Sequence, residues 1–319
     1  MQKKSVAILL ATYQPREDWL IQLLDSLNTQ TYPYLKLYVR DDASPTYPME
    51  RLEELLRTHV TAFPYVLLRN SQNQGSNGTF AALVEDCAED YIAFCDQDDV
   101  WDPKKIENTL GLLLESPMHP TLVCTNVRVI DGDGNLIAPS MEDHRRRHVY
   151  LRGEGLAPTL IYRNFVMGCT VIIERTRARS YLPFPADVVH DHYLAFRAAA
   201  DGAIDYLAEP QMQYRVYGGN QTGVMTGVNT KEDYLTHRIL LFEKRVQAFG
   251  KDADLPQLKQ AMEWTQARVA NFHRKKGSFS ALYRLRAVNP TTTYFELFAL
   301  RAPNFLFRFA LRLIKKGAL

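Results

Sequence analysis

Within its first hundred residues the chain alternates short apolar runs of strand length with longer segments whose apolar residues recur at helical spacing. Residues 5–11 are the first apolar run. Leu20, Leu23, Leu24 and Leu27 then fall at i, i+3, i+4 and i+7, which predicts a helix over 18–29. Further apolar runs at 35–40, 65–68 and 91–95 are separated by helical patterns at 49–58 and 77–88. Parallel strands cannot be joined by a tight turn, and a helix is their usual crossover. The order β-α-β-α therefore predicts an α/β fold with a mostly parallel, Rossmann-like sheet and helices on both faces. Functional loops should gather along the edge where the strands end.

Those loops carry short polar groups. Thr12-Tyr13-Gln14-Pro15 follows the first run, Asp41-Asp42-Ala43-Ser44-Pro45 the second and Asn73-Gln74-Gly75-Ser76-Asn77-Gly78 the third. An acid at a strand end can accept hydrogen bonds from a base N–H or a ribose hydroxyl, although Asp41, Asp42 and Ser44 would equally suit an Asx-type turn and a cap. The Asn73 loop lacks the Gly-Lys-Ser/Thr of a phosphate-binding P-loop and any basic residue, which excludes a P-loop NTPase. The fourth run empties into Asp96, Asp98 and Asp99, three carboxylates in four positions. Carboxylates that close repel unless a cation sits among them, and hard divalent ions such as Mg²⁺ or Mn²⁺ reach proteins through one or two carboxylates plus substrate phosphates. A helix capped by Asp102 with Pro103 at its first position would account for those two residues. It leaves the other three acids unexplained.

V-A-I-L-L-A-T-Y-Q, L-K-L-Y-V-R-D-D-A-S, N-Q-G-S-N-G-T-F and Y-I-A-F-C-D-Q-D-D-V-W, in this order, resemble the family 2 glycosyltransferases of the GT-A fold, in particular a bacterial rhamnosyltransferase-like branch. The resemblance covers residues 5 to about 225. It implies a nucleotide-sugar donor site in which Asp42 reads the base, with Thr12 and Tyr13 beside it. Asp96 and Asp98 resemble the D-x-D metal acids, and Asp98 with Asp99 matches the positions nearest the metal and the donor sugar.

Residues 122–130 predict a strand, and Asp131-Gly132-Asp133-Gly134-Asn135 a hairpin turn. A calcium loop is disfavoured because Leu136 stands where the sharp turn needs glycine, and Pro139 interrupts. The polar, basic stretch 141–151 suits a mobile loop or a solvated surface. After strand character at 170–173, His190-Asp191-His192 opens an amphipathic helix. Asp191 would be favoured at a helix N-terminus by the macrodipole alone. The resemblance makes it the general base, with Asp187 the runner-up and His190 and His192 as tuning or acceptor-binding groups. In Tyr214-Arg215-Val216-Tyr217-Gly218-Gly219-Asn220, Arg215, Gly218 and Asn220 match relatives, whereas Tyr217 stands where histidine is frequent. Arg215 is expected to offset pyrophosphate charge. The Q-x-x-R-W motif and membrane spans of processive synthases are lacking, which implies transfer of one or a few sugars per encounter.

A chain of 319 residues suits one large domain and an appendage, here a GT-A domain over 1–225 and a helical region over 226–319. Residues 268–319 hold eleven Lys and Arg against the single acid Glu296, leaving a tail of +10 on a body of −8. On a helical wheel Leu306, Phe309, Ala310, Leu313 and Ile314 share one face, opposite Arg308, Arg312, Lys315 and Lys316. Such a helix can lie on an anionic membrane surface or pack on its own protein. Cys87, Cys95, Cys124 and Cys169 contain no C-x-x-C pair and read as reduced core thiols of a cytosolic protein. Neither a signal peptide nor a span is expected, and the expected location is cytoplasmic, with the tail able to hold the chain on the inner face of the cell membrane.

The resemblance implies inverting, metal-dependent transfer, with dTDP-L-rhamnose as the first donor, to a glycan or lipid-linked glycan in bacterial surface polysaccharide synthesis. A UDP-hexose such as UDP-galactose or UDP-glucose is the alternative donor, and no nucleic-acid partner is expected. A sugar nucleotidyltransferase would want a Gly-rich, basic first loop, and residues 11–16 have one Arg and no Gly. A non-catalytic sugar- or lipid-binding protein would not need the metal acids and the base together.

Overall fold

The computed structural model describes residues 3–145, 148–217 and 227–315. Two compact units divide the chain, Met1–Gly218 and Gly219–Leu319. The first contains β1 (Val6–Thr12), β2 (Leu35–Asp41), β3 (Tyr65–Arg69), β4 (Tyr91–Cys95), β5 (Val100–Trp101), β6 (Leu122–Ile130), β7 (Leu136–Ala138), β8 (Ile172–Glu174) and β9 (Ile204–Arg215). They form one sheet in the order β3-β2-β1-β4-β8-β6-β9-β5, with β7 paired to β6. β1, β2, β3 and β4 are mutually parallel. β8 is antiparallel to both β4 and β6, and β9 is parallel to β6. Hence β6 and β9 run with β4, and Thr12, Asp41, Arg69, Cys95, Ile130 and Arg215 all end at one edge.

The alternation predicted from periodicity is present. Central β1 is buried at every position except Ala11, as suits a strand covered on both faces. α1 (Glu17–Asn28) buries the stripe Leu20, Leu23, Leu24 and Leu27. α2 (Met49–His59) buries Leu52, Leu55 and Leu56. α3 (Gly75–Asp86) begins two residues earlier than expected, so the Asn73 loop already contains its first turn. α4 (Lys105–Glu115) corrects the expected cap: the Asp102 carboxylate is bonded to Arg128, and only its main-chain carbonyl meets the helix, accepting from Lys105 N at 3.0 Å. α5 (Met141–His144), α6 (Ala157–Tyr162), α7 (Arg175–Ser180) and α8 (His190–Asp201) complete the unit. Arg146, Arg147, Gly218 and Asn220 lie outside the described residues.

Residues 131–135 form the expected hairpin turn between β6 and β7. The Asp131 carboxylate is spent there, accepting from Asp133 N and Asn135 N at 2.9 Å each and from Asn135 Nδ2 at 3.1 Å. β9 was hidden in the sequence by Glu209 and Pro210; the pairing shifts register between Asn126 and Arg128, with Pro210 opposite Asn126. A proline tolerated at an irregularity is consistent with its missing N–H.

In the second unit α9 (Lys231–Tyr234) runs through a π-helical stretch, Leu235–Leu240, into α10 (Leu241–Gly250). α11 (Pro256–Phe272), α12 (Ser278–Arg284), α13 (Pro290–Ala299) and α14 (Asn304–Lys315) follow. Val228, Tyr234, Ile239, Leu300, Phe307 and Leu311 form a buried cluster. The seam of α14 that faces the protein is therefore Phe307 and Leu311, whereas Leu306 and Phe309 of the expected apolar face are exposed together with Phe305. Lys316 lies outside the described residues. Among the described residues no helix is long and apolar enough to cross a membrane. All four cysteines are free and buried.

Candidate active site

Four loops of the carboxyl edge are tied to one another by hydrogen bonds. Asp42 N donates to Thr12 O at 2.8 Å, joining the ends of β1 and β2. Its carboxylate accepts from Asn70 Nδ2 and Gln74 N, both at 2.7 Å, and from Gly75 N at 2.9 Å. A carboxylate has about four lone-pair positions, so Asp42 anchors the start of α3 with one position left. Neighbouring Asp41 is consumed by a turn, accepting from Ser44 N at 2.9 Å and facing Arg69 Nε at 3.3 Å. Thr12 Oγ1 is buried with no hydrogen-bond partner. Tyr13 is exposed, and its backbone exchanges two hydrogen bonds with the Gln97 side chain, Tyr13 N to Oε1 at 2.8 Å and Nε2 to Tyr13 O at 3.2 Å. Gln97 thus carries the first loop to the carboxylates on either side of it.

Asp96, Asp99 and Cys169 offer ligand atoms within 4.8 Å of one another. Cys169 comes from a 3₁₀ turn, Gly168–Thr170, that precedes β8, the strand beside β4. Burial, then repulsion from Asp98 and Asp191, pushes Asp96 up to about 7. Asp99 is fully buried and held well above the carboxylate range by burial and by Asp98 and Asp96. One of its oxygens accepts from Arg215 N at 3.2 Å, and Oδ2 has no hydrogen-bond partner. Two unit charges within 4.8 Å repel by at least roughly 3 kcal/mol at an effective dielectric of about 20. An orphaned, buried carboxylate oxygen among acids that resist ionising fits a divalent cation, with Asp96 and Asp99 the residues best able to hold it. The sequence pointed to Asp96 with Asp98. Asp98 is raised by burial and receives a hydrogen bond from the Tyr217 phenol, and it is not among the three converging groups.

Buried cations stand behind this cluster. Lys105 Nζ donates to Cys169 O at 2.6 Å, lies over the Trp101 ring and is lowered to about 8 by burial. Arg215, 1% exposed, donates from Nε to Asp98 O at 2.9 Å, from Nη1 to Asp131 O and Gly132 O at 3.2 and 3.3 Å, and from Nη2 to Gln22 Oε1 at 2.8 Å. Its guanidinium is spent on the protein, so it offers the site fixed charge and a rigid carboxylate loop. Trp19 packs against both Arg215 and Tyr217.

Asp191 lies in the first turn of α8, close enough to Asp96 to raise it by repulsion. Its carboxylate accepts from Asn164 Nδ2 at 3.0 Å and from Gly168 N at 3.2 Å. Gly168 has no room for a side chain, because a Cβ would stand 2.9 Å from His190 Nε2 and 3.4 Å from Asp191 Cβ. Asp187 is exposed, four residues before. His192 Nε2 lies 2.6 Å from Leu160 O, a structural contact. His190 is buried among Phe80, Phe94 and Phe184, and burial drives it down to about 3. The sequence does not disclose the roles of Gln97, Lys105, Asn164 and Cys169, because the partner of each is distant in the chain: Gln97 lies between two of the acids but bonds to Tyr13, Lys105 bonds to Cys169, and Asn164 bonds to Asp191.

The sequence matches the model described as "Glycosyl transferase family 2" over residues 7–176. The chain belongs to glycosyl transferase family 2. An uncharacterized protein of Mycobacterium tuberculosis is 29% identical over 205 residues, 63% of this chain and 56% of that protein, so the match spans little more than half of that relative. The dTDP-rhamnosyl transferase RfbG of Shigella flexneri is 24% identical over 238 residues, 70% of this chain and 76% of its own length. A UDP-Glc:alpha-D-GlcNAc-diphosphoundecaprenol beta-1,3-glucosyltransferase of Escherichia coli is 24% identical over 208 residues, 63% and 72%. Among solved structures, Staphylococcus aureus TarS 1-349 with UDP-GlcNAc superposes with a TM-score of 0.61 at 17% identity, over 98% of this chain and 92% of that one. Mannosyltransferase PcManGT of Pyrobaculum calidifontis, with GDP-Man and Mn2+, gives 0.57 at 15% identity, over 100% and 80%. The family 2 member described here has the GT-A fold, followed by C-terminal helices.

Proposed function

We propose that this family 2 chain is an inverting glycosyltransferase that moves a sugar from a nucleotide-diphosphate donor to a hydroxyl of a glycan or lipid-linked glycan in bacterial surface polysaccharide synthesis. The observation that carries this reading is the convergence on one sheet edge of Asp42 and Thr12, the buried acids Asp96, Asp98 and Asp99, and Asp191, which is held by Asn164 and Gly168. The nucleoside would lie against Thr12, Tyr13 and the remaining acceptor position of Asp42. Asp191 takes the proton of the acceptor hydroxyl as that oxygen bonds to the anomeric carbon. The bond from the anomeric carbon to the diphosphate oxygen breaks on the opposite face, its electron pair leaves with the nucleoside diphosphate, and the configuration inverts. Mg²⁺ or Mn²⁺ held by Asp96 and Asp99, with Asp98 at hand, would offset the charge of the departing diphosphate. Arg215 and Tyr217 keep the carboxylate loop in place.

dTDP-L-rhamnose is the first donor, supported by the name of the Shigella relative, and UDP-glucose the alternative, supported by that of the Escherichia coli relative. The latter name also supports a polyprenyl-diphosphate-linked acceptor. We assign transfer to residues 1–225 and station at an anionic membrane surface to 226–319.

A panel of dTDP-L-rhamnose, UDP-glucose, UDP-galactose and UDP-GlcNAc, each with Mn²⁺ or chelator, tests the reading by thermal shift and product analysis. A true donor at 100 times its Kd stabilises by about 2.7 kcal/mol. Nucleoside diphosphate is the expected product; pyrophosphate would indicate a nucleotidyltransferase, and no turnover with any acceptor a binding protein. Asp96→Ala should abolish turnover and divalent-dependent donor binding in a folded protein. Full activity in chelator would rule out the cation.

A further inference from the structure

Asn77, in the first turn of α3, makes three hydrogen bonds that the reaction above does not use. Its Nδ2 donates to Pro185 O at 2.8 Å and to Val188 O at 2.7 Å, while Oδ1 accepts from His190 N at 2.9 Å. One short amide therefore spans the segment leading into α8, and its third bond is to the residue directly before Asp191. Asparagine is suited to this, since the task needs two N–H donors and an acceptor on one side chain; aspartate has no donor when ionised. α3 is anchored at its start by Asp42, through the N–H groups of Gln74 and Gly75. A continuous series of bonds thus leads from the carboxylate at the nucleoside loop, through one helical turn, to the backbone under the base. Asn164 and Gly168 orient the Asp191 carboxylate, and Asn77 locates its main chain.

We propose that Asn77 is a positioning residue for Asp191, setting where the base stands relative to a donor bound at Asp42. The proposal rests on the reading of Asp191 as the base. Misplacing a reacting group by about 1 Å can cost on the order of 10²-fold in rate, whereas nucleotide affinity depends on Asp42 and its loop, which Asn77 does not touch.

The test compares wild type, Asn77→Ala, Asn77→Asp, Asp191→Asn and Asn77→Ala/Asp191→Asn. Nucleoside diphosphate release is followed from dTDP-L-rhamnose and UDP-glucose with Mn²⁺ and polyprenyl-diphosphate-linked GlcNAc as acceptor. Affinities for dTDP and UDP are measured alongside. Asn77→Ala is expected to lower kcat by roughly 10- to 100-fold with nucleotide affinity within about twofold, and to speed amide exchange at 188–191, where the His190 N–H loses its acceptor. In the Asp191→Asn background it should cause no further loss, because residues acting as a unit are non-additive. Asn77→Asp keeps volume and the bond from His190 but loses both donors, and decides the same point if the alanine variant does not fold. Wild-type kcat in both Asn77 variants, a further loss on top of Asp191→Asn, or loss of nucleotide affinity equal to that of kcat would overturn the proposal. Normal transfer by Asp191→Asn would instead remove the base on which it rests.

Discussion

His190 stands next to the proposed base, yet neither ring nitrogen finds a hydrogen-bond partner. The ring centroid lies 4.4 Å from that of Phe80, 5.6 Å from Phe94 and 6.1 Å from Phe184. With its pKa depressed to about 3 by burial, the imidazole stays neutral in the folded protein between about pH 6.5 and about pH 3, where the unfolded chain is protonated. Its contribution is therefore fully present above the unfolded value of about 6.5 and is lost as pH falls toward the folded one. Between pH 7 and pH 5 this site alone should remove about 2 kcal/mol of stability. Urea unfolding of His190→Leu should lack that part of the slope; parallel pH dependence in variant and wild type would exclude it. The sequence offered His190 as a tuning group beside an acid, and such a pattern cannot distinguish a solvated ring from one walled in by phenylalanines drawn from α3, β4 and the loop before α8.

Glu296, the single acid of residues 268–319, is the element-scale counterpart. On α13 it is completely buried, and Arg268 of α11 reaches both its oxygens from Nε at 3.0 and 2.9 Å and from Nη2 at 2.6 Å. Tyr234 of α9 adds its hydroxyl at 2.9 Å, so three helices meet on one carboxylate. Removing one partner of a buried ion pair typically costs about 3–5 kcal/mol, since the other charge is left uncompensated. Glu296→Ala should lower stability by about that amount, and Arg268→Met with Glu296→Leu should recover much of it. Thermal unfolding followed by helix circular dichroism reads both; a Glu296→Ala protein as stable as wild type would show that the pair holds nothing together. Apolar residues recur at helical spacing over 234–249 and 255–272, which makes α10 and α11 legible, whereas those of α12 and α13 divide between a buried side and an exposed one.

At the scale of the whole molecule, the burial of Glu296 leaves no exposed acid among the described residues from 264 onward. The same stretch exposes Phe279, Tyr283, Tyr294, Phe298, Phe305, Leu306 and Phe309 beside the exposed Arg301, Arg308 and Arg312. Exposed aromatics with cations and no acids suit the headgroup region of an anionic bilayer, where each Lys or Arg contributes about 1 kcal/mol. Replacing Phe298, Phe305 and Phe309 together with serine should abolish sedimentation with phosphatidylglycerol vesicles and slow transfer to lipid-linked acceptors, while transfer to soluble analogues continues. Wild-type protein that stays in the supernatant at low salt would refute membrane docking.

Periodicity alone determined the strand and helix alternation of the first hundred residues, because which side chains must be buried along a single element is a local property. The gathering of strand ends along one edge followed from the same alternation, so Thr12, Asp42 and Asp96 through Asp99 were legible as residues of one edge. Only the tertiary structure decided the chemistry around them. Insertion of β8 between β4 and β6 delivers Cys169 to Asp96 and Asp99. The burial of Arg215 at the end of β9 turns its guanidinium onto carbonyl groups, and Asn77 reaches a segment more than a hundred residues away. Those partnerships depend on which strands become neighbours, and a sheet order that joins residues 91–95 to 172–174 leaves no periodic trace in the chain.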